Sequence, residues 1–565
     1  MSPSFHTYLS ATTASLAIAM AFASVPAHAQ DRGTDNAAVE TILITARKRV
    51  ETLQNVPISV TAYSNAALEQ RDITNLQGLN NFTPNLELTT GRADGGGSAA
   101  QIYIRGVGQS DFIFPNDPGV GLYVDDVYLA RTVGGLIALA DVERVEVLRG
   151  PQGTLYGKNT IGGAVKVITK APTGEWGGKI RLTAGNFDRR DAVASVDVPI
   201  LDTLAMRVEL ASLQRDGFVI RPFDGIDLGN EDKKLLRADM LWEPTPKLTV
   251  RMQGDVQSQR QNGAPGNLLT IIPSTAGATP VDPVNGQPVI NPITNQQAFV
   301  PGTGIIEGLY NPVVVPGLNA GLGLPEGTLY DGRFVTGDAR TSNGTAFVND
   351  DNDIWGLSLN INYEISDNLS IKSITAYRNL DANFARDGDH TPYAIVDTNN
   401  TFQQEQISQE FQLSGLSFSD RFNWLVGGFA FFENASDDNT VSLLEGTLEA
   451  VGLELSLRPI SSIKSQSFAI FTHGDFDVTD RLSISAGLRF TYEEKELQRI
   501  FTLRSSGVVI TDRRNGNPDS GDPLAAVGPA LEENWSAFAP KVGLDFPDQP
   551  VRLIEAMLPH QRRCI

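Results

Sequence analysis

The residues able to do chemistry are few and scattered. His6, His28, His390, His473 and His560 never approach the spacing that sets two imidazoles around a metal on one helix face. The single cysteine, Cys564, excludes a disulfide framework and every multi-cysteine zinc or iron–sulfur site. Gly153-Thr-Leu-Tyr-Gly157-Lys158 has the outline of a phosphate loop. Its glycines are one residue too close, however, and Asn159 stands where a Ser or Thr would hold Mg²⁺. Asp125-Asp126 offers two carboxylates, but consecutive strand residues face opposite ways, so a turn is expected there. With 66 acidic against 45 basic side chains the net charge is −21, which opposes nucleic-acid binding. No nucleophile–base pair, metal set or cofactor motif remains, so neither an enzyme nor a bound cofactor is expected. Recognition is the chemistry left, and it depends on the elements that present these charges.

The first element sets the compartment. Ala14–Val25 is an apolar run too short to span a bilayer, followed by Pro26 and the cleavage-like Ala27-His28-Ala29. Residues 1–29 therefore read as a signal peptide, although residues 1–10 lack the usual Lys or Arg. Residues 30–50 follow as an exported, periplasmic segment.

From about Ile180 the dominant signal is alternation with period two. Leu204, Met206, Val208 and Leu210 share one face, and Ala205, Arg207 and Glu209 the other. Leu482, Ile484, Ala486, Leu488, Phe490 and Tyr492 form a similar apolar row opposite Arg489, Thr491 and Glu493. A soluble sandwich also alternates, with its charges outward. Two sizes of connection separate the readings. Thr245–Leu248, Ser366–Leu369, Ser419–Phe422 and Thr479–Leu482 are short turns. The stretch between Gln261 and Asp350 is long, rich in Gly, Pro and Asn, and has only Arg333 and Arg340 as basic residues. Short turns at one end and long loops at the other fit an antiparallel transmembrane β-barrel with a wet interior.

The preceding region, residues 51–170, reads as a small mixed α/β unit. Helical spacing runs from Asn65 to Asn80, and short strands are expected at Ile102–Ile104, Val120–Leu129 and Arg144–Leu148. Tyr123-Val-Asp-Asp-Val-Tyr-Leu129, Val142 to Gly157 and Ile161 to Thr169 resemble the plug domain of TonB-dependent outer-membrane receptors, as does Ile104-Arg105-Gly106. Glu40-Thr-Ile-Leu-Ile-Thr-Ala46 resembles the TonB box, with Thr41, Ile42, Leu43, Ile44 and Thr45 as its core. That uncharged, β-favouring segment also suits strand addition to a partner's sheet edge.

The resemblance implies a 22-stranded barrel occluded by an N-terminal plug, in the outer membrane of a Gram-negative cell. It implies TonB, with its inner-membrane energising complex, and outer-membrane lipid as partners. The ligand is a scarce one, most often a ferric siderophore, with iron present only as cargo; a vitamin or an oligosaccharide serves some branches. A passive porin is the competing class, and would lack both TonB box and plug. In the family two plug arginines meet two barrel glutamates as a latch; Arg105 and Arg149 match the plug side. Glu410 and Glu493, on expected lumen faces, are candidates for the other. Ligand contacts are expected from the long loops and the plug apex, around Gly91–Gly97 and Gln109–Asp117.

One departure stands out. Residues 176–546 hold about 12 to 14 alternating stretches, short of 22. Pro547–Ile565 then loses the alternation and has no terminal aromatic residue. The sequence thus reads as a partial barrel with an aberrant tail, from which a closed, membrane-inserted barrel is not expected.

Overall fold

The computed structural model describes residues 42–545, apart from 91–98, 111, 113, 115, 136–138, 140, 271–310, 312–314, 444–455, 480, 506–507 and 512–530. The segment 1–29 expected as a signal peptide, Thr41, the 91–97 stretch and the 547–565 tail lie outside them.

The wall is one antiparallel sheet of 13 strands. Its strands are β1 (Gly177–Gly185), β2 (Arg189–Leu201), β3 (Leu204–Arg215), β4 (Glu231–Thr245) and β5 (Leu248–Gln261), then β6 (Asn349–Ser366), β7 (Leu369–Asp387), β8 (Val396–Ser417) and β9 (Phe422–Leu443). β10 (Ser456–Thr479), β11 (Leu482–Ser505), β12 (Val508–Thr511) and β13 (Leu531–Asp545) complete it. Each strand pairs with its chain neighbour through β12, and β13 joins the far side of β11. Among the described residues β1 pairs only with β2, so the wall is open there. The short turns close as their residues dictate, with Thr245 facing Leu248, Ser366 facing Leu369 and Thr479 facing Leu482.

Burial along these strands is inverted relative to a soluble protein. Arg207, Glu209, Asp239, Gln406, Glu410, Arg489 and Glu493 are buried, whereas Leu210, Leu357, Ile407, Phe411, Ile470 and Leu488 are exposed. An apolar exterior around a polar, filled lumen satisfies both lipid and charge. Strands β10 and β11, of 24 residues each, reach about 60 Å at ordinary rise and tilt. The apolar band of such barrels is about 25 Å tall, so the strands continue well beyond the lipid. Outward polar residues such as Asp353, Asp381 and Gln403 cover that extension.

The inner domain carries a five-stranded mixed sheet in the order 60–64, 142–149, 163–169, 120–124, 127–129, plus a three-stranded sheet from 86–90, 100–104 and 107–108. Strand Gly163–Thr169 runs parallel to Val120–Val124 and antiparallel to Val142–Arg149. Asp125 and Asp126, with φ of 47° and 69°, make the tight hairpin turn that the Asp pair suggested. The helix expected over 65–80 is broken. Asn65–Gln70 is helical, with Ser64 as its N-cap, and Leu76–Asn81 is a separate 3₁₀ segment. Asp72, at φ 51°, ends the first. Leu68, Leu76, Leu79, Val145, Val147 and Val165 meet in the apolar core of this domain.

Candidate functional site at the seam between inner domain and wall

The segment Ile42–Thr45 is folded onto the inner domain instead of standing free. Leu43–Ile44 pairs with Glu51–Thr52, and the Ile42 carbonyl accepts from Leu53 N–H at 2.9 Å. Ile44 is fully buried in a cluster with Leu148, Leu155 and Tyr156 of the inner domain and Leu425 and Phe431 of the wall, while Leu43 is half exposed. Thr45 is held on all sides. Its N–H donates to Glu146 at 2.8 Å, its hydroxyl accepts from Lys166 Nζ at 2.8 Å, and its carbonyl accepts from Lys166 and Tyr156.

The next three residues tie this hairpin to the wall. Arg47 pairs with Asp475 at 2.8 Å, Lys48 with Glu410 at 2.9 Å, and Arg49 with Asp475 at 2.8 Å. Arg47 and Arg49 both also pair with Glu51. The Lys48 side chain is 2% exposed, so Glu410 is its buried partner. The visible sequence signal was three successive cations in an acidic chain, and it was missed.

Glu410 and Glu493 therefore do face the inner domain, but with other partners than expected. Lys158 reaches Glu493 at 2.9 Å, from the loop after the short helix Gly153–Tyr156. Arg105 and Arg149 form no ion pair among the described residues. Arg105 sits exposed in a left-handed turn at φ 54°, and Arg149 Nη1 donates only to the Pro84 carbonyl at 3.4 Å. The two arginines lie near each other, since a Cβ on Gly150 would come within 3.2 Å of Arg105 Nη1. Among the described residues Glu410 and Glu493 are paired by Lys48 and Lys158 instead, so the expected latch is corrected to lysines.

Further ties cross the seam. Arg131 makes a bidentate pair with Glu433 at 2.7 and 2.8 Å, Lys372 meets Asp126 at 2.9 Å, and Lys495 pairs with Asp117. Burial pushes the Asp117 carboxyl up, but Lys495, Lys158 and Arg131 outweigh it and hold it at about 2. Burial likewise opposes ionisation of Asp126, and Lys166 and Lys372 hold it well below the usual carboxylate range. Gly157, at φ 84° and ψ −138°, takes a backbone conformation that side chains rarely adopt, and the Arg489 guanidinium lies over it. The Asn159 position that spoiled the phosphate-loop match instead donates to Tyr128 at 2.7 Å.

The apex is pinned too. Within Gln109–Asp117, Phe112 packs edge-on against Phe384 at 5.3 Å and Phe114 tilts over Phe402 at 5.1 Å. Both apex rings are buried, so they serve the wall contact and offer little surface to a ligand. At the loop end of β7 and β8, carboxylate oxygens of Asp387, Asp389 and Asp397 lie within 4.8 Å of one another, the grouping among the described residues close enough to hold a cation. Asp389 is pushed up to about 6 by burial and by Asp387, although it accepts N–H bonds from Thr391, Ile395 and Val396.

Comparison with known proteins gives two family matches: "TonB-dependent Receptor Plug Domain" over residues 52–164 and "TonB dependent receptor-like, beta-barrel" over 303–553. The iron-regulated outer membrane virulence protein of Vibrio cholerae is 29% identical over 261 residues, 42% of this chain and 36% of that protein. The pesticin receptor of Yersinia enterocolitica is 31% identical over 226 residues, 38% and 32% respectively. A vitamin B12 transporter of Vibrio vulnificus is 29% identical over 228 residues, 39% and 35%. These matches thus span about a third of each relative's length. Among solved structures, the ferric yersiniabactin uptake receptor of Yersinia pestis superposes with a TM-score of 0.62 at 18% identity, covering 86% of this chain and 62% of that one. The ferric-catecholate import receptor of E. coli K12 gives 0.56 at 14%, covering 87% and 68%.

Proposed function

Because the chain belongs to the TonB-dependent receptor family, whose plug and outer-membrane β-barrel wall it carries, we propose that it takes part in TonB-energised uptake of a ferric siderophore complex. The observation that carries this reading is the placement of Ile42–Thr45. This strand-prone segment lies where the plug sheet, Glu146 and Lys166 hold it, beside ion pairs that tie it to the wall. A pull on it acts on Thr45 first and reaches the sheet strands 142–149 and 163–169 through those two side chains. For the segment to come free, the buried pairs of Arg47 and Lys48 with the wall must break and Ile44 must leave its apolar cluster.

In the family, TonB supplies the pull, and the ligand binds from the long-loop side. Relatives named for iron regulation and for ferric yersiniabactin uptake support an iron complex. The vitamin B12 transporters among the relatives support cobalamin as the second reading. The test is growth and uptake in a receptor-deficient Gram-negative host given ⁵⁵Fe-loaded siderophores or radiolabelled cobalamin. Uptake of an iron complex that is lost on deleting Glu40–Ala46, with surface binding kept, is the expected result. Cobalamin uptake alone would overturn the iron assignment, and uptake unaffected by the deletion would overturn TonB coupling.

A further inference from the structure

Residues 42–52 fill one sector of the seam. Among the described residues, their ion pairs and apolar contacts with the wall fall on β8, β9 and β10. Lys48 meets Glu410, Arg47 and Arg49 meet Asp475, and Ile44 shares a cluster with Leu425, Phe431 and Phe471. On the inner side the segment covers Glu146, Leu148 and Lys166 of strands 142–149 and 163–169. Withdrawing it therefore leaves a slot between those two plug strands and β8–β10. That slot already has a mouth. An open cleft of about 300 Å³ lies beside Arg47 and Arg49 at the short-turn end of the wall, reaching Asp367, Ser414, Leu425 and His473.

The rest of the plug is held by bonds that do not pass through the segment. Asp141 pairs with Arg207 of β3, while Thr169 accepts from Arg251 and Asp125 from Gln253 of β5, both at 2.9 Å. Lys372 of β7 holds Asp126, and Glu493 of β11 holds Lys158. Thr154 donates to the Ala539 carbonyl of β13 at 3.2 Å. Nearer the long loops, Gln406 of β8 donates to the Tyr128 carbonyl at 2.6 Å and Glu433 of β9 holds Arg131, so the slot ends below them. A structure opens first by its smallest separable unit, and here that unit vacates a single sector.

We propose that the periplasmic half of the ligand's route runs through this sector, between plug strands 142–149 and 163–169 and wall strands β8–β10, while the remaining plug stays seated. The proposal rests on the uptake reading above.

Thiol labelling in proteoliposomes tests it without ligand or TonB, so it can fail while uptake stands. In a Cys564→Ser background, Leu425→Cys reports the sector and Gln253→Cys, covered by Asp125 and Thr169, reports the β5 side. Each is treated with charged sulfonatoethyl methanethiosulfonate, with residues 42–52 present or deleted. The deletion should speed labelling at Leu425→Cys at least tenfold and change Gln253→Cys less than twofold. Equal acceleration at both positions would mean that the whole plug has left its seat, and overturns the proposal. No acceleration at Leu425→Cys overturns it too. Should the deleted form fail to fold, full-length Ile44→Asp decides, with trypsin cleavage at Arg47–Arg49 reporting the opened segment. Rapid cleavage with Leu425→Cys still protected would rule the sector out.

Discussion

Single side chains decide how firmly the plug is seated. Lys48 and Lys158 are both nearly excluded from solvent beside Glu410 and Glu493. Glu410→Gln with Glu493→Gln takes the hydrogen-bonded carboxylate from two buried ammonium groups, a loss on the order of 3 kcal/mol for each broken buried pair. Liposome-swelling assays should show raised leakage of small solutes in that double variant. Arg105→Ala with Arg149→Ala should leave leakage near the parent level, because neither arginine forms an ion pair across the seam. Leakage in the arginine pair alone would reverse the assignment. Asp389 supplies a pH test outside the membrane. Its folded value near 6 lies above the ordinary 3.8, so the native loop binds its proton more tightly than the unfolded chain does. The associated stability is complete below about pH 4 and is lost as pH rises through 6, by at most about 3 kcal/mol. Amide exchange at Ile395 and Val396, corrected for intrinsic rates, should therefore slow between pH 7 and pH 5. In Asp389→Asn that pH dependence should vanish.

At the scale of elements, the hairpin formed by Leu43–Ile44 and Glu51–Thr52 is the piece most easily detached. It has two pairs of strand residues, and a hairpin that small has little stability of its own. Ile44 in its apolar cluster and the ion pairs of Arg47, Lys48 and Arg49 hold it in place. Ile44→Asp puts a carboxylate into that cluster, so the hairpin should open while the plug core of Leu76, Val145 and Val165 stays folded. Trypsin cleavage at Arg47–Arg49 should accelerate roughly tenfold or more, corresponding to ~1.4 kcal/mol of lost local stability. Unchanged cleavage would mean that the ion pairs alone retain the segment. This hairpin was half legible. Its β-prone composition was plain, but pairing with Glu51–Thr52 depends on the turn at 45–50, where Lys48 takes a left-handed φ of 63°.

For the whole molecule, the lipid-facing and lumen-facing sides respond oppositely to charge. Leu488 faces outward at 44% exposure, while its neighbour Arg489 is buried within the lumen. Leu488→Arg puts a charge on the outward apolar face and should cost up to about 2–4 kcal/mol of membrane stability. Outer-membrane fractionation and heat-modifiability on gels should show that loss. A lumen exchange such as Asn362→Asp, opposite Lys372 on the neighbouring strand, should leave both readouts close to the parent. Equal tolerance at the two positions would mean that the outward face does not meet lipid.

What the sequence determined by itself was the periodic part of the fold. Alternation at Leu204–Leu210 and Leu482–Glu493, with short turns at Thr245–Leu248 and Thr479–Leu482, specifies strands, faces and neighbour pairing, because each depends on residues adjacent in the chain. The Asp125-Asp126 turn was legible for the same reason. Only the tertiary structure decided which charges meet. Lys48 and Glu410 are 362 positions apart and Lys158 and Glu493 are 335 apart, so no local pattern links them. The expected arginines were as basic and as near the plug motifs as the lysines. What separates them is the tertiary packing, which carries Lys48 and Lys158 to the glutamates of β8 and β11.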